Sequence, residues 1–445
     1  MANASGSPEE SSNINSNYPS CLIASTRRSD VQPPTYIAAA EVASEIFRPD
    51  VLETIERTLD TLDGELRELS LKIHDHPEVK FEERYAHDTL SSFMDSHGFK
   101  TTTHYLMETA WRAEYIRGTD GRVLGINSEM DALPGIGHAC GHNLIAICGV
   151  GIALAVKAAM EKHDISGKIV LLGTPAEEGG GGKITLIEKG AYKDMHICLM
   201  SHPGPGPKNS VGIGSCLASQ AIEVEYHGHS AHAAAAPWEG QNALDAAFLA
   251  YSSVSVLRQQ IKPSHRVHGV IEGKDWAPNI IPDYAKMRWV ARAPSGSELD
   301  ALVKRLLACI DAAAIATSCK KTVTISRAYL DLRQNAALAA QFANTLNKRY
   351  DTLITSAEGA IGGSTDFGNV TYELPAIHPS FAIPTQPNGG NHTALFTDAA
   401  RAPEAHKATM TITKGLALTG FRALDDDAFY ESVRKAFEGS NRPNQ

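Results

Sequence analysis

Between Glu129 and Asn143 the chain reads EMDALPGIGHACGHN, which places two acids, a thiol and two imidazoles within fifteen positions. Carboxylate, thiolate and imidazole are the side chains that hold divalent transition metals. Cys140 and His142 lie two apart, so on an extended loop both side chains face the same way, whereas on a helix they would diverge. A buried thiol beside two surface histidines fits Cys140 and His142 equally well; the nearby Asp131 favours the metal reading.

The second reactive stretch is TPAEEGGGGK, Thr174 to Lys183. Adjacent carboxylates in a loop are usually solvated charge. Here Glu177 and Glu178 are followed by four glycines, each of which loses much backbone freedom on folding, a costly choice for a mere surface turn. Neighbouring acids in an irregular loop can point apart, one to a metal and the other to water. Metal-assisted hydrolysis needs that division: a Lewis acid to acidify water and a free carboxylate to take its proton. His202 in SHPGP and His392 in GGNHTALF are further ligand candidates, though such histidines taken singly are more often structural or solvated. His232, in GHSAHAAAAP, falls in a different part of the chain and is assigned to contact with substrate or transition state.

These residues need elements to position them. Leu52, Ile55, Leu59, Leu62, Leu66, Leu69 and Ile73 recur at helical spacing, and Pro77 predicts the stop. A second helix is expected over Tyr85–His97. Strands are then expected at 113–115, 123–128, 168–173 and 196–201, alternating with helices at 145–162 and 183–189, the order of an α/β unit with a largely parallel sheet. Glu177 and His202 would then follow the carboxyl ends of strands, where such sheets place ligands.

After Pro207 the pattern becomes strand 218–226, helix 241–260, strands 267–272 and 285–292, helix 297–318 and strand 321–328. That βαββαβ order predicts a ferredoxin-like α+β sandwich. The expected organisation is a disordered tail over 1–49, a catalytic domain in two parts, 50–213 and 331–445, and an inserted lid or dimerisation domain over 214–330. A helix over 409–419 is expected near the end.

Composition narrows the function classes. The 445 residues carry 41 Lys plus Arg against 51 Asp plus Glu, a formal charge of −10, which argues against a nucleic-acid partner. The seven cysteines (21, 140, 148, 198, 216, 309 and 319) form no CxxC pair and resemble no secreted disulfide framework. Apolar runs such as 144–157 look too short or too Gly-interrupted to span a bilayer, and residues 1–35 contain no signal-peptide core. A cytoplasmic protein without a membrane partner is expected. The 36 glycines cluster, and the run Gly179–Gly182 is the densest.

Taken together, DALPGIGHACGHN, TPAEEGGGGK, SHPG, GHSAHAAAAP, PNIIPD, GGSTDFGN and NHTALF, in this order between about Asp50 and Leu424, resemble the dinuclear-metal amidohydrolases and peptidases of the aminoacylase, carboxypeptidase G and IAA-amino-acid hydrolase family. Within it the likeness is to the branch of p-aminobenzoyl-glutamate hydrolase and the β-alanyl-lysine (Xaa-Arg) dipeptidases. The resemblance implies a mostly parallel-sheet metallopeptidase domain with an inserted lid, and two divalent ions, zinc or manganese. Cys140 would bridge them, with His142, Glu178, His202 and His392 as the other ligands. Glu177 would be the general base and then the proton donor, and Asp131 would orient a ligand. His232 would polarise the scissile carbonyl, in many relatives that of the partner subunit, so a homodimer is expected. Asn279, Arg292, Gly363 and Ser364 would hold the substrate carboxylate. Where aminoacylase-like members have a metal-binding His two residues before the Asp, and the auxin-conjugate hydrolases an Asp, this chain has Glu129, read as supporting the ligands rather than joining them. The implied activity is hydrolysis of the amide bond in a small dipeptide or N-acyl amino acid. A specialised amidase for aminobenzoyl-glutamate, hormone conjugates or secondary metabolites would use the same site. An inactive binding protein would be expected to have lost ligands or base, and all are present.

Overall fold

The computed structural model describes residues 45–355 and 362–440; the tail expected over 1–49 lies outside the described residues as far as residue 44. The stripe predicted from leucine spacing becomes helix Pro49–Asp75, with Leu52, Ile55, Leu59, Leu66, Leu69 and Ile73 buried. It stops before Pro77, and His76 leaves helical geometry at φ −125°. Helix Arg84–Ser96 follows.

The principal sheet has six strands in the spatial order 100–102, 111–117, 167–174, 123–129, 197–199, 376–377. Strand Val123–Glu129 pairs in parallel with both Gly167–Thr174 and Ile197–Leu199, which itself pairs in parallel with Ala376–Ile377. Only the edge formed by Lys100–Thr102 and Trp111–Arg117 is antiparallel. The central strands are buried almost throughout, as a sheet covered on both faces requires. Glu129 and Thr174 end two of these strands at neighbouring register positions, so the loops that carry Asp131 and Glu177 leave the sheet side by side.

Helix His142–His163 is apolar on all sides and packs against helices Pro49–Asp75 and Pro403–Asp425. Its 22 residues are long and apolar enough to cross a membrane by length and composition, so the run-length argument made from 144–157 does not hold. Its surroundings decide: 89% of its most apolar window is buried inside the protein.

A four-stranded antiparallel sheet, in the order 320–325, 218–227, 284–293, 266–273, carries helices Ala243–Leu257 and Gly296–Thr317. This is the expected ferredoxin-like sandwich. Asn242 and Ser295 cap its two helices by accepting backbone N–H bonds, and Ile222, Val224, Tyr226, Met287, Trp289, Leu302 and Leu306 lie in a core of its own.

One sheet was not expected. Strands 353–355, 210–212, 380–383 and 202–205 form a second small sheet beside the main one. Strand Ile197–Leu199 is accordingly shorter than the 196–201 segment expected, because His202 opens a strand of the new sheet, paired in parallel with Ser380–Ile383. Strands of three or four residues are too short to show a period of two. The last helices are Pro403–Asp425, longer than the 409–419 expected, and Asp427–Ser440.

Candidate metal centre and active site

The loop after Glu129 turns back so that Cys140 and His142 meet, but not on an extended loop as their spacing suggested. Gly141 sits between them in the left-handed region at φ 76°, and His142 is already the first residue of a helix. A side chain at 141 would also press on the Pro203 ring at 2.6 Å, so only glycine permits this turn. The turn sets Cys140, His142 and His202 with ligand atoms within 4.8 Å of one another, Cys140 Sγ being 3.3 Å from His202 Nε2.

The acidic loop approaches from the neighbouring strand. Ala176 is held at φ 61°, an uncommon position for a residue with a side chain, and its N–H donates to the buried Glu83 carboxylate at 2.8 Å. Tyr329 hydroxyl donates to the Glu177 carbonyl at 2.7 Å and accepts from the Gly181 N–H at 2.8 Å. Gly182 returns so close to Pro175 that a Cβ there would lie 1.8 Å from its carbonyl oxygen. The loop is thus closed on itself, with Glu177 and Glu178 at its outer end.

Cys140, Glu178 and His392 form a second trio within 4.8 Å, and His142, Glu177 and Glu178 a third. His392 Nε2 lies 3.1 Å from Glu178 Oε1. Its backbone is held at φ 66° with its N–H donating to the Ala139 carbonyl at 2.8 Å. Asp131 braces both groups: Oδ1 lies 3.1 Å from His142 Nδ1, and Oδ2 accepts the Glu178 N–H at 2.9 Å.

The electrostatics follow from this packing. Burial raises the Glu177 carboxyl well above its ordinary value, and the nearby Glu129 and Glu178 add to the effect. That suits a group that must take up a proton. Burial works against charge on His142, yet Asp131 outweighs it and holds that imidazole well above its usual range. Burial pushes the Cys140 thiol up to about 12; a bound divalent cation is what would stabilise its thiolate. The residues fit a metal: His142 Nε2 is buried and lacks any hydrogen-bond partner among the described residues, and thiolate, imidazole and carboxylate donors converge around it.

The remaining expected residues lie elsewhere. Arg292 donates to Ser364 Oγ at 2.8 Å, and Ser364 Oγ donates to the Leu217 carbonyl at 2.7 Å. Gly363 is exposed, its carbonyl accepting the Leu217 N–H at 3.0 Å. His232 and Asn279 are exposed in the inserted sandwich, joined there by a backbone bond from the Ala233 N–H to the Asn279 carbonyl. His232 Nδ1 accepts from the Ala234 and Ala235 N–H groups, and it is in none of the ligand groups.

Sequence reasoning gave no role to Lys183, Asp366, Glu83 or Tyr329. Lys183 and Asp366 stand in the stretches TPAEEGGGGK and GGSTDFGN, but nothing in their spacing joins residues 183 positions apart. Glu83 and Tyr329 carried no local signal. Glu129 is fully buried, 2.6 Å from Lys183 Nζ through one oxygen and 3.4 Å from His142 Nε2 through the other, in keeping with a supporting place beside the ligands.

Residues 125–402 match peptidase family M20/M25/M40. The Xaa-Arg dipeptidase of Mus musculus is 39% identical over 422 residues, spanning 91% of this chain and 95% of that protein. One of the subunits of the p-aminobenzoyl-glutamate hydrolase of Escherichia coli strain K12 is 27% identical over 442 residues, spanning 82% and 90%. Among solved structures, a dinuclear metal binding peptidase from the M20 family of Bacillus subtilis superposes with a TM-score of 0.64 at 17% identity, covering 82% of this chain and 99% of that one, a likeness of fold. With that match over more than half of its length and a 39% identical relative along most of it, the chain belongs to peptidase family M20/M25/M40 and is a hydrolase.

Proposed function

We propose that this hydrolase cleaves the amide bond of a small dipeptide, preferentially one ending in a cationic residue, using two divalent ions, zinc or manganese, that His142, His202, Glu178 and His392 would hold with Cys140 in common. The observation that carries the reading is that Cys140 belongs to two ligand trios at once, one with His142 and His202 and one with Glu178 and His392. A shared thiolate is what a bridging ligand requires. The ions, when bound, polarise the scissile carbonyl and acidify a water.

The chain's own residues do the rest. Glu177, buried and with a raised affinity for protons, takes the proton from water and later returns it to the leaving amine. Asp131 fixes the His142 ring, so that Nε2 is the nitrogen offered to a metal. Arg292 has no carboxylate partner among the described residues and, with Ser364, is suited to hold the substrate's carboxylate; Asn279 and Gly363 complete that contact. His232 serves the site of a second copy: it is exposed and outside its own chain's cluster. Phe248 at 64% and Val256 at 73% exposure on helix Ala243–Leu257 offer apolar surface for a homodimer. A reducing, cytoplasmic setting suits a thiol at the centre of the site, which oxidation would remove as a ligand. Neither nucleic acid nor membrane is a partner in this reading, which the net charge of −10 supports for nucleic acid.

The cationic preference rests on the 39% identity to the mouse Xaa-Arg dipeptidase and on the acidic net charge, which steers cations. Aminobenzoyl-glutamate is the second reading, favoured by the Escherichia coli relative at 27%. The test is a panel of dipeptides with Arg or Lys at the C-terminus, β-alanyl dipeptides, aminobenzoyl-glutamate and N-acyl amino acids, assayed on zinc- and manganese-reconstituted protein. Highest kcat/KM on the Arg and Lys dipeptides is expected. A kcat/KM about tenfold higher on aminobenzoyl-glutamate would transfer the assignment to the second reading, and no hydrolysis of any member would overturn both.

A further inference from the structure

Beneath Glu177 lies a charged group that the reaction as described leaves without a task. Glu129, Glu177 and Asp366 bring carboxylate oxygens within 4.8 Å of one another, all three residues being buried. Like charges that close in a dry site are strongly unfavourable unless a cation lies among them or a proton neutralises one of them. The cation present belongs to the chain: the Lys183 ammonium, fully buried, is 2.6 Å from Glu129 Oε1 and 2.6 Å from Asp366 Oδ1. Its backbone N–H donates to the second Asp366 oxygen at 2.9 Å. One residue thereby joins three distant segments: the end of strand Val123–Glu129, the returning end of the acidic loop, and the segment in which Ser364 contacts Arg292. Glu129 is held by this ammonium although its other oxygen reaches to 3.4 Å from His142 Nε2.

We propose that Lys183 is a positioning residue of the reaction, its ammonium standing in for a third metal ion under Glu177, keeping Glu129 out of the metal set and tying the base-bearing loop to the segment of Ser364. The proposal rests on Glu177 as the base. Removing the ammonium leaves three carboxylates that either protons or a divalent ion must neutralise, and an excess of the ion favours the ion. The loop also loses the side-chain part of its tether, keeping only the backbone N–H bond to Asp366, and a displacement of about 1 Å at a proton-transferring group costs roughly 100-fold in rate.

Two readouts on Lys183→Met, beside wild type and after circular dichroism shows folded protein, test this. In zinc excess followed by desalting, elemental analysis is expected to find about one more ion per chain than in wild type. With the best substrate of the panel, kcat is expected to fall about 100-fold while KM stays within about threefold. A folded variant with the wild-type metal count, or with kcat within about threefold of wild type, overturns the proposal. If Lys183→Met does not fold, Lys183→Met/Asp366→Asn, which removes one carboxylate with the ammonium, is read instead: lost kcat at wild-type metal content supports the proposal, and retained kcat overturns it. Failure of wild type on every substrate would instead indict the assigned reaction, while the metal count is read without any substrate.

Discussion

Asp131 Oδ1 lies 3.1 Å from His142 Nδ1, and that contact turns the other ring nitrogen toward Glu129 and Glu178, at 3.4 Å and 4.0 Å. The acid thereby sets which nitrogen is offered to a metal. Asp131→Asn keeps the shape but weakens this orientation and the acceptor for the Glu178 N–H. Metal affinity, measured by competition with a chromogenic chelator, is expected to fall about 10- to 100-fold; an unchanged affinity would remove Asp131 from this role.

Glu177 and Glu178 are adjacent, yet their variants should separate. Glu177→Gln is expected to retain wild-type metal content and lose roughly 100- to 10,000-fold in kcat. Glu178→Ala is expected to lower metal content itself, read by elemental analysis. If the two variants behave alike in both assays, the division between base and ligand is wrong.

The dimeric reading of His232 gives a complementation test. Glu177→Gln and His232→Ala proteins are each expected to be nearly inactive. After subunit exchange at equal amounts, half of the dimers should be mixed, each with one intact site, returning about a quarter of wild-type activity for a two-fold interface. No recovery, with exchange verified by native mass spectrometry, would place His232 outside the partner's site.

Burial, with Asp131 nearby, raises the Glu83 carboxyl from 4.5 to about 7. Since the folded state binds this proton more tightly than the unfolded chain, the contribution to stability is complete below pH 4.5 and is lost as pH rises through about 7. Glu83→Gln is expected to flatten that part of the stability profile, by up to about 3 kcal/mol in the difference between its ends, seen in urea unfolding at several pH values. A wild-type profile with no decline across this range would refute it.

The acidic loop has little room. A side chain at Gly180 would meet the Ala176 Cβ at 2.6 Å and the Phe81 ring at 2.7 Å. Gly180→Val is expected to cost about 1–3 kcal/mol of stability, with a proportionally larger loss in kcat because Ala176 precedes the base. Thermal denaturation and kcat on the same preparation would reveal the opposite order if the loop served folding alone.

Sequence alone determined a good deal of this. Helix spacing gave Pro49–Asp75, and a βαββαβ order read from alternating patterns gave the antiparallel sandwich, because long elements carry their burial pattern in local periodicity. Cys140, His142, Glu177, Glu178, His202 and His392 were legible as candidates because metal chemistry restricts residue type and strand ends restrict place. Tertiary structure alone decided that Gly141 turns Cys140 and His142 together, that His202 opens a strand of a second small sheet, and that helix His142–His163 is a core helix. It also decided that Lys183 lies between Glu129 and Asp366. The reason is common to all four: a turn through one glycine, a strand of four residues, the surroundings of an apolar helix and an ion pair across 183 positions depend on which surfaces meet, and periodicity along a chain records only the face each element turns inward.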